Sequence, residues 1–486
     1  MKKWIPAILF TCMLLFGFWY RLYGILNNQS FWSDEALLSS FARDIVLGQK
    51  SIIQGIQSVW YESFHILTIA TSFKLLGISE FSARLPSVIF GSIEIFFAFF
   101  LAKKLSNTYG GILAAFIFSF SQLNLANSTQ AKPYIALQLF LLIEFYLLSK
   151  LHSKSSFWIH IGIIICILLS TLFHIYGLLF ILPYFILLLF QKQIRLLIIY
   201  TLFCIGIVFA IFKFFPAYYL SYVSNIWFNH TVLLKNLLLK QYGIFLLPSI
   251  LTFFVISKKQ KYIFLSFIAY LIVILFFWNF RSYSHNIRYL VPIFGLIFVF
   301  FGVFWGRVGE YLNQTLKIPG AQLLPIIVAI LIYASGYKIA RFPQSFYSPN
   351  TDFYGDIQIA DYKTMYSLIK KQVPDYKEIT VFNDIFDAQR WYMPEKKIDT
   401  YFMKGTIKPY KHGVEVGYIF GSLNDFLKEK EKYSKGILIV EDWESFLPED
   451  IKQYAKKNMK RIIRVEGLKE APNDPWPLEV YEWGLN

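Results

Sequence analysis

Apolar runs separated by short polar breaks fill the first 340 residues of the chain. A helix needs roughly 20 apolar residues to cross a bilayer, and about eleven stretches approach that length. They lie near 4–24, 85–102, 110–127, 134–149, 157–173, 176–190, 195–215, 243–256, 262–278, 288–305 and 320–339. Two segments between the first and second runs read differently. In 34–47, Leu37, Leu38, Phe41 and Ile45 share one helical face, while Ser39, Arg43 and Asp44 fall elsewhere. Asp34 is placed to cap this helix and Gly48 to end it. In 61–77, Glu62, His65 and Lys74 interrupt a short apolar core. That pattern predicts an amphipathic helix at the membrane surface rather than a span.

After residue 340 the pattern changes. Ser345-Phe-Tyr-Ser-Pro-Asn350 is turn-rich. Helical periodicity at 357–372, 422–434 and 448–458 then alternates with β-rich runs at 378–382, 436–441, 461–466 and 478–483. This predicts an α/β domain of roughly 130 residues. The expected division is a membrane module over 1–340, with a first outer loop at 25–84, and a separate domain over 341–486.

Composition supports the membrane reading. Hydrophobic residues make up 56% of the chain and charged residues only 16%, too few to cover a soluble protein of this length. The net charge of +16 does not point to nucleic acid. Lys2/Lys3, Lys103/Lys104, Lys150/Lys154, Gln191–Arg195, Lys258/Lys259/Lys261 and Arg307/Lys317 fall at every second loop. By the positive-inside rule those loops are cytoplasmic. The first outer loop, 128–133, the turn around His174, 216–242, 279–287 and the tail after 340 are then extracytoplasmic. The N-terminus is expected inside the cell, as an uncleaved first span of a multi-pass plasma or inner membrane protein. Cys12, Cys166 and Cys204 all sit in apolar runs and suggest neither disulfide nor metal spacing.

Two constellations carry candidate chemistry. Asp34 and Glu35 stand at the start of the first loop helix. An acid there is favoured by the helix dipole alone, but a carboxylate at that surface can also take a proton from an acceptor hydroxyl. The topology also gathers Arg84, Lys132, Arg281 and Arg288 at the outer face. Each can snorkel to lipid headgroups, or together they can hold a phosphate. The segment Arg281-Ser-Tyr-Ser-His-Asn-Ile-Arg288 concentrates two Arg with a Tyr and a His. His174 and His285 can serve as acid–base groups or simply hydrogen-bond at span ends. No dedicated metal site is expected, although an acid pair can recruit a loosely held divalent cation. The aromatic stretch 216–228 fits an interfacial belt.

Five segments resemble, in order, one family. Phe31-Trp-Ser-Asp-Glu-Ala36 resembles the first-loop signature of the GT-C superfamily of membrane glycosyltransferases that use polyprenyl-phosphate sugars. Protein O-mannosyltransferases and the aminoarabinose transferase of lipid A belong to this group. Gly77-Ile-Ser-Glu-Phe-Ser-Ala-Arg-Leu-Pro-Ser87, Gln130-Ala-Lys-Pro-Tyr-Ile-Ala-Leu137, His174-Ile-Tyr176 and Arg288-Tyr-Leu-Val-Pro292 are similar to its further blocks. Lys132 stands where the family has Arg. Glu62-Ser-Phe-His-Ile-Leu67 stands where many relatives carry a Pro-Pro pair. The resemblance covers about 1–305.

The resemblance implies an inverting transfer of a sugar from a polyprenyl-phosphate donor to an extracytoplasmic acceptor: glycan, lipid or protein. Asp34 would be the general base, and Glu35 would assist it or hold a metal. Arg84, Lys132, Arg281 and Arg288 would bind the donor phosphate. Tyr134, His174, Tyr176, His285, Tyr289 and His65 would line the substrate pocket. The partners implied are membrane lipid, the lipid-linked donor and the acceptor. A transporter or flippase for a lipid-linked or anionic substrate explains the spans and the outer cations equally well. It gives no reason for an acid pair at a helix start. A non-catalytic assembly subunit working through its tail is the third alternative.

Overall fold

The computed structural model of the chain describes residues 4–28, 30–58, 62–151, 156–214, 229–281, 287–347, 360–373, 375–383, 386–396, 401–402, 409–412, 415–420, 422–441, 447–467 and 477–485. The expected aromatic loop at 216–228, His285 and much of the linker after Tyr347 lie outside them.

The membrane region runs α1 (Ile5–Asn27), α2 (Ser33–Val46), α3 (Ile52–Ser58), α4 (Ser63–Leu76), α5 (Glu80–Leu105), α6 (Thr108–Phe120), α7 (Gln122–Ser128), α8 (Tyr134–Leu151) and α9 (Phe157–Phe173). It continues with α10 (Ile181–Phe190), α11 (Ile194–Phe214), α12 (Thr231–Lys235), α13 (Gly243–Val255), α14 (Lys261–Arg281), α15 (Val291–Gln314) and α16 (Leu324–Ser335). Among the described residues, five helices are long and apolar enough to cross a membrane: α1, α5, α8, and α14 and α15 with their leading turns. A sixth candidate is bent. Residues Thr231–Gln241 meet α13 at 83°. Shorter apolar helices account for the rest of the expected runs.

Two compact units emerge. The first comprises Met1–Gly24, Val59–His65 and Arg84–Phe353, and the second Ile25–Ser58, Ile66–Ala83 and Tyr354–Asn486. The tail therefore shares a unit with most of the first loop, whereas a boundary at residue 340 groups that loop with the spans.

The first unit is a helical bundle whose core rings include Phe118, Phe267, Phe294 and Phe300, with Trp278 fully buried. Glycine brings α6 and α15 together. A Cβ on Gly302 would lie 2.6 Å from the Gly110 carbonyl oxygen, so only a bare backbone fits there, as in small-residue packing between membrane helices. Asn107 ties the same contact. Its Oδ1 caps α6 by accepting from Tyr109 and Gly110 N–H, and its Nδ2 donates to the Gly306 carbonyl at 2.7 Å. Arg21 is fully buried in α1 and donates to the carbonyls of Gly17 and Phe118, each at 2.9 Å.

The expected run at 110–127 breaks at Ser121, whose backbone is extended. Leaving the helix strands polar groups that apolar surroundings cannot satisfy. Here the Phe120 carbonyl accepts from Ala340 N–H at 2.8 Å, and Gln122 N–H donates to the Lys338 carbonyl at 3.0 Å. Ser121 and Ile339 thus form a small antiparallel bridge.

In the second unit the tail adds α17 (Tyr362–Gln372), α18 (Phe386–Tyr392), α19 (Leu423–Lys430) and α20 (Glu449–Asn458). Its strands are β1 (Thr380–Phe382), β2 (Tyr401–Phe402), β3 (Pro409–His412), β4 (Glu415–Phe420), β5 (Gly436–Val440), β6 (Lys460–Val465) and β7 (Leu478–Trp483). A mixed sheet orders them β1-β5-β7-β6, with β1 parallel to β5 and the other pairs antiparallel. β5 reads as a continuous apolar run because both its faces are covered. Ile437 and Ile439 pack with Met365 and Ile369 of α17, and Leu438 and Val440 with Phe426 of α19 and Ile451 of α20. A second sheet orders β2-β4-β3. Neither α18 nor this second sheet is expected from the sequence pattern.

Candidate functional site

The second unit holds the acid pair. α2 starts at Ser33, with Trp32 rather than Asp34 as its N-cap. The carboxylate of Glu35, three residues on, accepts the Trp32 N–H at 3.3 Å. This is the return half of a capping box. Glu35 is fully buried and Asp34 only partly so. The expectation that Asp34 caps the helix is therefore corrected: Glu35 takes the capping bond, and Asp34 sits in the first turn with a partly exposed side chain. Gly48, at φ +70°, ends the helix as expected.

The seven-residue α18 fastens α2 along its length. Ser33 Oγ donates to Asp387 at 3.2 Å, and Phe31 N–H donates to the Tyr392 hydroxyl at 2.6 Å. The Trp391 ring packs on Phe31 and Phe73, with centroids 5.0 and 5.9 Å away. Near the other end of α2, Arg43 donates to the carbonyls of Trp391 and Arg390. Arg390 in turn donates to Asp44 at 3.0 Å, and its guanidinium lies 4.6 Å from the Phe41 ring centroid. α18 is too short for its periodicity to stand out. Its only sequence signals are an acid in the first turn and a basic residue near the end.

The first unit holds a cationic aromatic cluster. Lys132 lies in the turn before α8, and Tyr134 opens that helix. His174 ends α9, Tyr176 follows in a 3-10 turn, and Arg288 and Tyr289 lie in the 3-10 turn before α15. These segments are far apart in sequence, yet their rings meet. Tyr134 lies 5.5 Å from both His174 and Tyr289, His174 lies 5.2 Å from Tyr176, and Tyr176 lies 5.4 Å from Tyr289. The Arg288 guanidinium lies over the ring of Tyr134 at 5.7 Å and that of Tyr289 at 5.3 Å, the two rings standing at right angles. Such faces attract a cation.

Buried His174 is held neutral. Burial, then the charges of Lys132 and Arg288, push it down to about 3. Its Nδ1 accepts the Tyr176 N–H at 3.2 Å, so the ring proton resides on Nε2. Lys132 Nζ lies 3.7 Å from Glu62, with both side chains buried. Glu62 is not among the expected site residues; its position just before α4 is the only signal for it. His65 is fully buried with its ring 6.4 Å from that of Phe173, and Arg84 is fully buried in α5. Arg281 ends α14, but its side chain lies outside the described residues, as does all of His285. Among the described residues no group of three or more His, Cys, Asp or Glu is placed to hold a metal.

Residues 64–219 match the dolichyl-phosphate-mannose-protein mannosyltransferase family. That stretch includes Arg84, Lys132, Tyr134, His174 and Tyr176, and excludes Asp34. Among solved structures, the chain is similar to ArnT from Cupriavidus metallidurans in the apo state, with a TM-score of 0.60 and 11% identity over 98% of this chain and 97% of that one. ArnT from the same organism bound to undecaprenyl phosphate matches at 0.57 and 13% identity, over 99% and 98%. The oligosaccharyltransferase AglB from Archaeoglobus fulgidus, in complex with an inhibitory peptide and a dolichol-phosphate, matches at 0.53 and 12%, over 80% and 63%. No match was found among curated protein sequences. The likeness to the GT-C glycosyltransferases read from the sequence motifs is borne out, and the fold is of the ArnT type.

Proposed function

We propose that the chain is an inverting glycosyltransferase that moves a sugar from a polyprenyl-phosphate donor to an extracytoplasmic acceptor. The cluster around His174 carries this reading most directly. Buried Lys132, half-buried Arg288, a neutral histidine and three tyrosines gather from separated segments, and four of these six residues lie in the stretch that matches the mannosyltransferase family. Such a cluster suits a phosphate ester with an attached sugar. Lys132 and Arg288 meet charge on the phosphate. Neutral His174 offers an N–H without adding charge, and the tyrosine rings offer faces for the sugar.

In this reading the acceptor hydroxyl oxygen attacks the anomeric carbon on the side opposite the phosphate. Asp34 takes the hydroxyl proton. The bond from the anomeric carbon to the phosphate oxygen breaks, and its electron pair stays on the phosphate. Arg84, Lys132, Arg281 and Arg288 stabilise that developing charge. The configuration inverts because there is a single displacement. Glu35, tied to the start of α2, fixes the turn that presents Asp34. Tyr134, Tyr176, Tyr289, His65 and His285 belong to the substrate pocket, and the tail over 341–486 works outside the cytoplasm with the acceptor.

The test is Asp34→Asn in the full chain, with radiolabelled lipid-linked sugar. Transfer is expected to fall by about 10²–10⁴-fold, the usual contribution of a general base, while donor binding stays at its original level. Transfer at the normal rate would overturn the assignment of Asp34. Loss of donor binding alone would favour a carrier over an enzyme. Repeating the assay with a chelator reads whether a divalent cation takes part.

A further inference from the structure

A cavity of about 360 Å³ opens where the C-terminal end of α2 meets the residues just after α18. Its size falls within the ~300–1,000 Å³ of small-molecule sites. Its polar walls are Arg43, Asp44, Gln49, Arg390, Glu395 and Lys396. All of them belong to the second unit.

The two carboxylates in this wall are already matched. Asp44 accepts from Arg390 at 3.0 Å and also has Arg43 and Lys50 within ion-pair range. Glu395 faces Lys370 at 2.9 Å and accepts the Tyr376 hydroxyl at 2.7 Å. Among the described residues the wall itself holds three cations, Arg43, Arg390 and Lys396, against these two acids. Arg390 is nine-tenths buried, and its Nη1 finds no acceptor among the described residues. Holding α18 on α2 accounts for the Arg390–Asp44 pair and for the backbone bonds of Arg43. It does not account for Arg390 Nη1 or for the cavity that Arg43, Arg390 and Lys396 line.

We infer that this cavity is an anion subsite for the acceptor, taking a sugar unit that bears a carboxylate or a phosphate. This rests on the glycosyltransferase reading above. Burial, and then the neighbouring Arg390 charge working against Asp44, pull the Arg43 guanidinium below its usual value. A bound anion relieves that crowding. The cavity begins about ten residues along α2 from Asp34, or about 15 Å at the helical rise. That is further than one sugar ring reaches. The anionic group and the attacking hydroxyl therefore sit on different units of the acceptor, which must be an oligomer or a larger conjugate.

The experiment is calorimetric titration of the full chain in zwitterionic nanodiscs with glucuronate, glucose 6-phosphate and glucose. One or both anionic sugars are expected to bind, and glucose is not. The tighter of the two names the acceptor's anion. Two substitutions keep the α18 clamp intact. Gln49→Glu adds a negative charge at an exposed wall position, and Lys396→Gln removes a positive one. Each is expected to weaken anion binding roughly tenfold, the scale of one charge-assisted contact, with an unchanged unfolding temperature. Asp34→Asn is expected to bind the anion as before, so failure of sugar transfer and failure of this subsite are separate results. Equal binding of glucose, or anion binding unchanged in both wall variants, would overturn the inference.

Discussion

Around His174 positive charge is gathered by aromatic rings, whereas along α2 negative charge is fastened by a second helix. In the first case the cations come from the ends of apolar runs, and Tyr134 and Tyr289 both lie against Arg288. In the second, Asp34 stands on a helix whose own sequence gives little to hold it. Its hold comes from Asp387, Arg390, Trp391 and Tyr392, about 350 residues away. A cluster of cations and rings can be assembled from local motifs at span ends. The helix proposed to present the reactive acid is instead held by a partner remote in sequence.

Ending the chain at Arg341 breaks this contrast most severely. It removes α18 and uncovers Phe31, Phe41 and Phe73. Sugar transfer is expected to fall to background, and the α2 amides to lose protection in hydrogen exchange. Donor binding at the His174 cluster should survive. Full transfer by the shortened chain would show that α2 needs no partner.

Trp391→Ala is the next largest. The ring contacts Phe31 and Phe73 and lies 5.4 Å from the Arg43 guanidinium. Truncating a buried tryptophan costs about 3–5 kcal/mol, to be read as a lower denaturation midpoint of the tail signal. A much smaller loss would mean that the polar bonds of α18 hold α2 without the ring.

Lys132→Met and Arg288→Met sharpen the other side. Each is expected to weaken donor binding by about 10–100-fold, the range of hydrogen bonds to charged groups, and to leave acceptor binding alone. Lys132→Met also strands buried Glu62. Adding Glu62→Gln should restore stability but not donor affinity. If it restores both, Lys132 serves the fold and not the ligand.

A further contrast is the effect of pH on stability. The folded value of His174, about 3, lies below the ordinary 6.5. Above 6.5 the ring is neutral in both states, and its contribution is fully present. As pH falls from 6.5 toward 3, the unfolded chain binds a proton that the folded chain refuses, so stability drops. The unfolding midpoint of His174→Gln is expected to depend less steeply on pH across that window.

The cluster is legible in the sequence because each member opens or closes an apolar run. Hydropathy and the basic loops are enough to put Lys132, His174 and Arg288 at span ends on one face. The capping detail is not legible. Asp34 and Glu35 are both acceptable at a helix start, and only the Trp32 N–H bond to Glu35 distinguishes them. α18 escapes because seven residues hold too few turns to show a period. The break at Ser121 escapes because hydropathy is continuous across it, and backbone pairing leaves no mark on hydropathy. The strands β1, β5, β6 and β7 are legible to within two residues, since their short β-rich runs are confined between helices of clear polarity.

That break has a consequence for how the protein is made. Helices normally enter the bilayer with their peptide groups satisfied internally. The α6–α7 pair enters with the Phe120 carbonyl and the Gln122 N–H awaiting Ala340 and Lys338. More than two hundred residues must be synthesised before those partners exist. Biogenesis therefore has a late closing step: until the segment after α16 arrives, the kink must be sheltered by the insertion machinery or by water. Ribosome-bound chains halted before residue 338 should expose Ser121 to thiol labelling as Ser121→Cys, and chains halted well beyond it should not.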